Sequence, residues 1–257
     1  MSTKNPEPFS SLLSPPVVYI TSWGWTLAGN EREVNQDCFL NWPARLLWAV
    51  ADGVGGGKNG AFASQLMIQR LLAIPVAISQ KQNVSAIKEA AYEVNEALWR
   101  GRFRENICST TLTVLVIQND QAICLWAGDS RCYLSRQGTL YQCSKDHTLR
   151  QSLIDKGSLT PPEASRMIKG NIITRAVGSQ QNLALDEAAF SIKPKDRLLL
   201  CTDGLSNRLS PKLLSETLAS GTTARSISLK FQELIKNLPQ KDDITQITIL
   251  VSNHYYK

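Results

Sequence analysis

Histidine is almost missing from this chain, with two among 257 residues, His147 and His254. Both read as structural or surface residues, so imidazole-based zinc chemistry and His-driven nucleophilic catalysis have little to build on. The six cysteines do not fill the gap. Cys38, Cys108, Cys124, Cys132, Cys143 and Cys201 form no Cys-x-x-Cys pair, and most sit inside apolar, strand-like runs. They read as buried free thiols of a reducing compartment, not as a disulfide framework or a zinc site. Long apolar runs are missing as well. Nothing approaches the length of a bilayer span, and Pro15-Pro16 interrupts the one N-terminal candidate for a secretory signal. The expectation is a cytoplasmic protein with no membrane partner.

Acidic residues are in deficit, 22 against 28 Lys and Arg, for a net charge of +6. Such a balance admits a nucleic-acid or anionic partner. The basic residues are scattered, however. The tightest group, Arg100, Arg102 and Arg104, falls at the expected end of a helix, where it complements the helix dipole. No nucleic-acid partner is expected. A hydrophobic share of 43% with 19% charged residues excludes disorder, and the length suits one large core.

Two apolar runs stop at Asp-Gly: Leu46 to Ala51 before Asp52-Gly53, and Leu198 to Thr202 before Asp203-Gly204. Each reads as a fully buried strand with a carboxylate at its lip. Residues 1–16 are Pro- and Ser-rich and expected to be loose, leaving 17–257 as one domain. Strands are expected at Val17–Ala28, Asp37–Leu40 and Leu46–Ala51. A helix follows over about Asn59–Ile78, and a second starts near an N-cap at Ser85. Hairpins over Thr111–Gln142 make the middle antiparallel. Residues 144–172 are polar, contain Pro161-Pro162 and read as a surface flap. A strand at Arg197–Thr202, helices near Pro211–Ala219 and Ala224–Leu238, and a strand at Ile244–Val251 complete the chain. Helices and hairpins are segregated, which predicts an α+β fold: a four-layer α-β-β-α sandwich of two antiparallel sheets flanked by helix pairs, with a flap.

Gly55-x-Gly57-x-x-Gly60 matches the dinucleotide fingerprint. The fingerprint also needs an acidic residue about 20 positions on, at the end of a strand. The next acidic residue here is Glu89, in a helical stretch. A phosphate loop needs Ser or Thr after Gly-Lys, and Asn59 follows Lys58. Both nucleotide readings fail on the residues around the motif.

Five aspartates remain, each in a telling context: Arg32-Glu33-Val34-Asn35-Gln36-Asp37, Ala51-Asp52-Gly53, Gly128-Asp129-Ser130, Thr202-Asp203-Gly204 and Asp242-Asp243-Ile244-Thr245. Clustered carboxylates repel unless cations lie between them, and oxygen-only ligands favour Mg²⁺ or Mn²⁺ over zinc. In order and spacing these segments, with Thr174-Arg175-Ala176-x-Gly178, resemble the metal-dependent protein phosphatase family, type 2C, over about residues 22–252. The compact form is similar to stand-alone bacterial members, some of them tied to secretion systems.

The resemblance implies roles. Asp52 bridges two metals, with the Gly53 carbonyl as a further ligand. Asp203 and Asp242 complete the second metal's shell, and Asp37 acts at the first. Asp129, with Asp203, forms a third, weaker site, and Arg32 clamps the phosphate. Arg32, Asp37 and Asp52 are thus the catalytic candidates. The implied chemistry is hydrolysis of phosphoserine and phosphothreonine on proteins by direct attack of a metal-bridging hydroxide, with a Ser/Thr kinase as the functional antagonist. The alternative is a catalytically weak pseudophosphatase that binds phosphoproteins as a scaffold.

Three positions depart from the family pattern. Gln36 stands where many members have Glu. Val54 stands where animal members have a proposed His acid. Asp243 replaces the usual Asn and either alters metal preference or is simply solvated.

Overall fold

The computed structural model describes residues 18–31, 33–55, 57–75, 79–101, 108–236, 238–239 and 241–253. The expected loose segment, residues 1–16, lies outside them. Strands β1 (Val18–Leu27), β2 (Asp37–Trp42) and β3 (Leu47–Val54) precede helices α1 (Gly57–Leu72) and α2 (Gln80–Arg100). Next come β4 (Ser109–Thr110), β5 (Leu112–Gln118), β6 (Gln121–Ala127), β7 (Arg131–Arg136) and β8 (Thr139–Gln142). Two short helices follow, α3 (Leu149–Asp155) and α4 (Pro161–Met167), then β9 (Asp186–Ser191) and β10 (Arg197–Cys201). The chain closes with α5 (Asp203–Ser206), α6 (Pro211–Ala219), α7 (Ala224–Lys236) and β11 (Ile244–Asn253).

These strands form two antiparallel sheets, one ordered β1-β11-β10-β7-β8 and the other β2-β3-β5-β6-β9, with β4 pairing β3. Alternation along β3 shows why its sequence is apolar throughout. Ala49 and Ala51 pack toward Ala63, Met67 and Leu71 of α1. Trp48 and Val50 point the other way, into the layer between the sheets with Leu198, Leu200, Ile247 and Ile249. A strand covered on both faces has no polar face to display. On the outer side of the first sheet, Leu199 and Leu250 meet Leu214 and Leu218 of α6 and Ile227, Phe231 and Ile235 of α7. The result is the four-layer α-β-β-α sandwich.

The helix boundaries differ from expectation for identifiable reasons. Helix α1 ends at Leu72, before Pro75, because proline removes a donor and disfavours helix at the residue before it. Helix α2 is capped by Ser79, not Ser85. Gln82 N–H donates to Ser79 Oγ at 3.3 Å, and Ser79 N–H donates to Gln82 Oε1 at 3.1 Å, a reciprocal capping box. Ser85 lies inside the helix, exposed. Pro161-Pro162 starts α4 instead of breaking structure, with Thr160 N–H and its hydroxyl both bound by Glu163 Oε2. Strand β9 was not expected at all. It is an edge strand, acidic and alanine-rich, and so carries little β signal of its own.

The capping assignment is testable by thermal unfolding. Ser79→Ala should cost about 1 kcal/mol and lower Tm by about 2–4 °C. Ser85→Ala should stay within about 0.5 kcal/mol of the parent. Equal effects at the two serines would contradict the cap.

Candidate metal centre

The topology delivers the ends of five chain segments to one place. Strand β2 opens on Asp37, directly opposite Asp52 near the end of β3. Strand β10 gives way at Thr202 to α5, whose first residue is Asp203. Asp242 precedes β11, the neighbour of β10, and Asp129 lies in the turn between β6 and β7. Burial, reinforced by the charges of Asp37, Asp203, Asp129 and Asp242, raises the Asp52 carboxyl well above the ordinary value. Asp52 therefore feels all four of the other aspartates. Burial likewise pushes Asp37 and Asp129 each up to about 7, with Asp203 adding to both. Asp203 is also raised, by burial and then by Asp242. A cleft of about 200 Å³ opens here, lined by residues including Gln36, Asp52, Gly53, Asn171, Asp203 and Asp242.

Neutral side chains fix these carboxylates. Thr202 Oγ1 donates to Asp37 Oδ2 at 2.8 Å. Asn171 and Asn207 both donate to Asp203 Oδ2, at 2.9 and 3.0 Å. Thr111 Oγ1 accepts from Asp52 N–H at 2.9 Å and pairs with Ser130 Oγ at 2.8 Å, which links β3 to the Asp129 turn. Asn171, Thr202 and Thr111 were not among the expected site residues. Asn171 arrives from the flap, far along the chain, and nothing local marks it. Thr202 and Thr111 look like ordinary strand threonines.

Three further positions read differently once placed. Asp243 is neither solvated nor directed at the cleft. It is buried, and its Oδ1 and Oδ2 accept from Gly29 N–H at 2.9 Å and Gln36 N–H at 2.8 Å. An Asn in the same pose has only one acceptor oxygen for two donors. Gly53 is tightly packed. A Cβ there would lie 2.2 Å from the Gly60 carbonyl oxygen, so the end of β3 and the first turn of α1 touch backbone to backbone. Val54 lines the cleft and has no proton to give. Arg32 lies outside the described residues.

The donor set fits hard cations. Among the described residues, Asp37 Oδ1 and both oxygens of Asp129 are buried without a hydrogen-bond partner. Buried carboxylate oxygens in that condition are costly unless a cation meets them. Among the described residues no three His, Cys, Asp or Glu side chains already form a closed metal shell. Any one ion therefore needs other oxygens, such as a backbone carbonyl or water, which suits Mg²⁺ and Mn²⁺.

A profile of the Protein phosphatase 2C family matches residues 29–238. The chain belongs to the protein phosphatase 2C family. Protein phosphatase PhpP of Streptococcus pneumoniae is 30% identical over 235 residues, covering 86% of this chain and 93% of that protein. Among solved structures, PppA, described as a key regulatory component of T6SS in Pseudomonas aeruginosa, is 35% identical with a TM-score of 0.82, covering 91% of this chain and 98% of that one. The catalytic domain of PstP, solved with two manganese ions, is 27% identical with a TM-score of 0.78 and covers 92% of this chain and 100% of that one.

Two outcomes are expected of this phosphatase 2C centre. Folded carboxylates at about 7 hold protons that unfolded ones, near 3.8, have released. Stability of the metal-free protein should therefore fall as pH rises between those values, with the share from Asp37 and Asp129 gone above about 7. His147, held below its usual value by burial, slopes the other way, but it is one group against several. Thermal unfolding at about pH 5.5 and about pH 8 should show the higher Tm at the lower pH, with saturating Mn²⁺ removing the difference. A metal-free Tm that rises toward pH 8 would contradict the repulsion. Asp243→Ala should cost about 1–3 kcal/mol for each stranded N–H, and Asp243→Asn less, in urea unfolding. A neutral Asp243→Ala would show that the staple contributes nothing.

Proposed function

We propose that this chain is a metal-dependent protein serine/threonine phosphatase. It removes phosphate from phosphoserine and phosphothreonine by direct hydrolysis, carried by one domain over residues 17–257. The observation that supports this most is the convergence of Asp37, Asp129, Asp203 and Asp242 on Asp52, with buried carboxylate oxygens left for cations.

The residues divide the work. Asp52, Asp37 and the Gly53 carbonyl would hold one ion; Asp52, Asp203 and Asp242 a second; Asp129 and Asp203 a weaker third. When bound, Mn²⁺ or Mg²⁺ lowers the pKa of a water nucleophile and offsets charge on the phosphoryl oxygens. Thr202 occupies one oxygen of Asp37, leaving Oδ1 for the ion. Asn171 and Asn207 do the same at Asp203, occupying Oδ2. Arg32 is assigned the phosphate clamp. With valine at 54, the departing alkoxide takes its proton from water, and the open cleft admits one.

The cleft shares Asn171, Asp203 and Asp242 with a groove of about 490 Å³ that also includes Arg150 and Asn207. A shallow polar groove suits a phosphorylated peptide segment better than an enclosed small molecule. The physiological setting proposed is cytoplasmic opposition to a bacterial Ser/Thr kinase. Two observations support it: the free thiols, and the similarity to PppA, described as a regulatory component of T6SS.

The test is Mn²⁺-titrated hydrolysis of a phosphothreonine peptide and a small aryl phosphate. Asp52→Ala and Asp203→Ala should each lower kcat at least about a hundredfold to a thousandfold, the scale of losing a charge-stabilising group. Arg32→Ala should act mainly on KM. Wild-type turnover in Asp52→Ala at saturating Mn²⁺ would sink the assignment. A folded parent that binds phosphopeptide without turnover would favour the scaffold reading.

A further inference from the structure

His147 lies at the neck of the flap, where Thr148 pairs with Ile173 and Thr174 N–H donates to the His147 carbonyl at 2.8 Å. From there it grips the peptide groups of Gly128 at two points. Its backbone N–H donates to the Gly128 carbonyl at 2.9 Å, and its Nδ1 accepts from Gly128 N–H at 3.1 Å. The second bond requires Nδ1 to be bare, which places the ring proton on Nε2. Nε2 faces both Asp186 Oδ2 at 3.2 Å and Arg175 Nη1 at 3.1 Å; a protonated Nε2 can donate only to the carboxylate, and Arg175 Nη1 then donates to the other carboxylate oxygen, Asp186 Oδ1. Trp126 stacks on the ring at 6.2 Å between centroids. The imidazole is thus fixed in both tautomer and plane.

Gly128 needs such a hold. Its φ is +116°, and a Cβ there would lie 2.6 Å from Thr111 Cβ, so only glycine fits and glycine is the least restrained residue. The next residue is Asp129, whose carboxylate oxygens are both buried without a partner among the described residues. Among the described residues no side chain hydrogen-bonds that carboxylate to aim it. The turn's backbone must do so, and His147 fastens the backbone.

We propose that His147 is a positioning residue: through its Nδ1 and main-chain N–H it fixes the Gly128–Asp129 turn and aims the Asp129 carboxylate at a bound cation. Asp186 acts one step further out, by accepting from Nε2–H and so holding the imidazole in the accepting tautomer, and Arg175 anchors that carboxylate. The inference rests on the reading of Asp129 as an ion ligand given above.

Calorimetric Mn²⁺ titration of the full chain tests it, with thermal unfolding run alongside. Asp129→Ala identifies which binding event belongs to Asp129. His147→Leu keeps bulk but deletes the acceptor, and should weaken that event about tenfold, the value of one hydrogen bond, while the other ions stay within about twofold. His147→Asn, whose Oδ1 can replace Nδ1, should recover most of the loss. The proposal is overturned by unchanged affinity in His147→Leu, by an equal loss at every ion that Asn does not rescue, or by Asp129→Ala altering no binding event. A parent that takes up no Mn²⁺ at all would instead overturn the phosphatase reading. If His147→Leu does not fold, the side-chain ¹⁵N spectrum of the wild-type imidazole at neutral pH decides. A bare Nδ1 with a protonated Nε2 supports the proposal, and the opposite tautomer overturns it.

Discussion

Asp52, half-buried at the lip of a cleft, is surrounded by four other aspartates, and their mutual repulsion is the constraint the rest of the molecule accommodates. Two packed sheets are well suited to that burden. The end of β3 pairs with β2 on one side and β4 on the other, so the backbone that carries Asp52 is held in place beneath the charge. The surrounding threonines and asparagines are neutral and spend their donors on selected oxygens, leaving the remaining ones facing inward. Among the described residues Arg131 eases the charge on Asp129 and Asp203 only in part, because burial and the other aspartates still hold both carboxyls above the ordinary value. Arg131, the closest guanidinium in the sequence to Asp129, is engaged with Asp146 at 2.8 Å.

The backbone around the cluster is braced by interactions that are not themselves chemical. Asp243 closes the loop from Gly29 to Gln36 with a single carboxylate. Thr111 ties Asp52 to the Asp129 turn through Ser130. The bracing groups come from different elements than the carboxylates they serve. Loss of one would loosen the site without removing any ligand.

Much of the fold was legible because the strands are buried on both faces. Leu47 to Ala51 and Leu198 to Cys201 are unbroken apolar runs, and each run ends where a polar residue meets the cleft. The Asp-Gly and Gly-Asp turns could be found for the same reason. What escaped notice was either weakly patterned or distant in sequence. Strand β9 has one face on β6 and no apolar run of its own. Ser79 carried a capping signature, but an expected helix running past Pro75 concealed it. Asn171 reaches Asp203 only through the flap, and no local pattern announces a contact across 32 residues. Asp243 was the reverse case. Its position beside Asp242 made it conspicuous, and only its two backbone partners show that it is a staple. His147 was set aside as structural, which is what its burial implies; its grip on Gly128 is visible only in three dimensions.

The flap leaves and rejoins the sandwich through a very narrow gate. Thr148 pairs with Ile173, Leu149 N–H donates to the Ile172 carbonyl at 2.9 Å, and two short helices fill the excursion between. Because the ends of the excursion are already joined, the entropic cost of changing its length is small and falls on the flap alone. The sandwich needs nothing from the interior of that segment to complete its layers. Yet Asn171, inside the excursion, donates to Asp203 Oδ2, so the flap is tied to the carboxylates it covers.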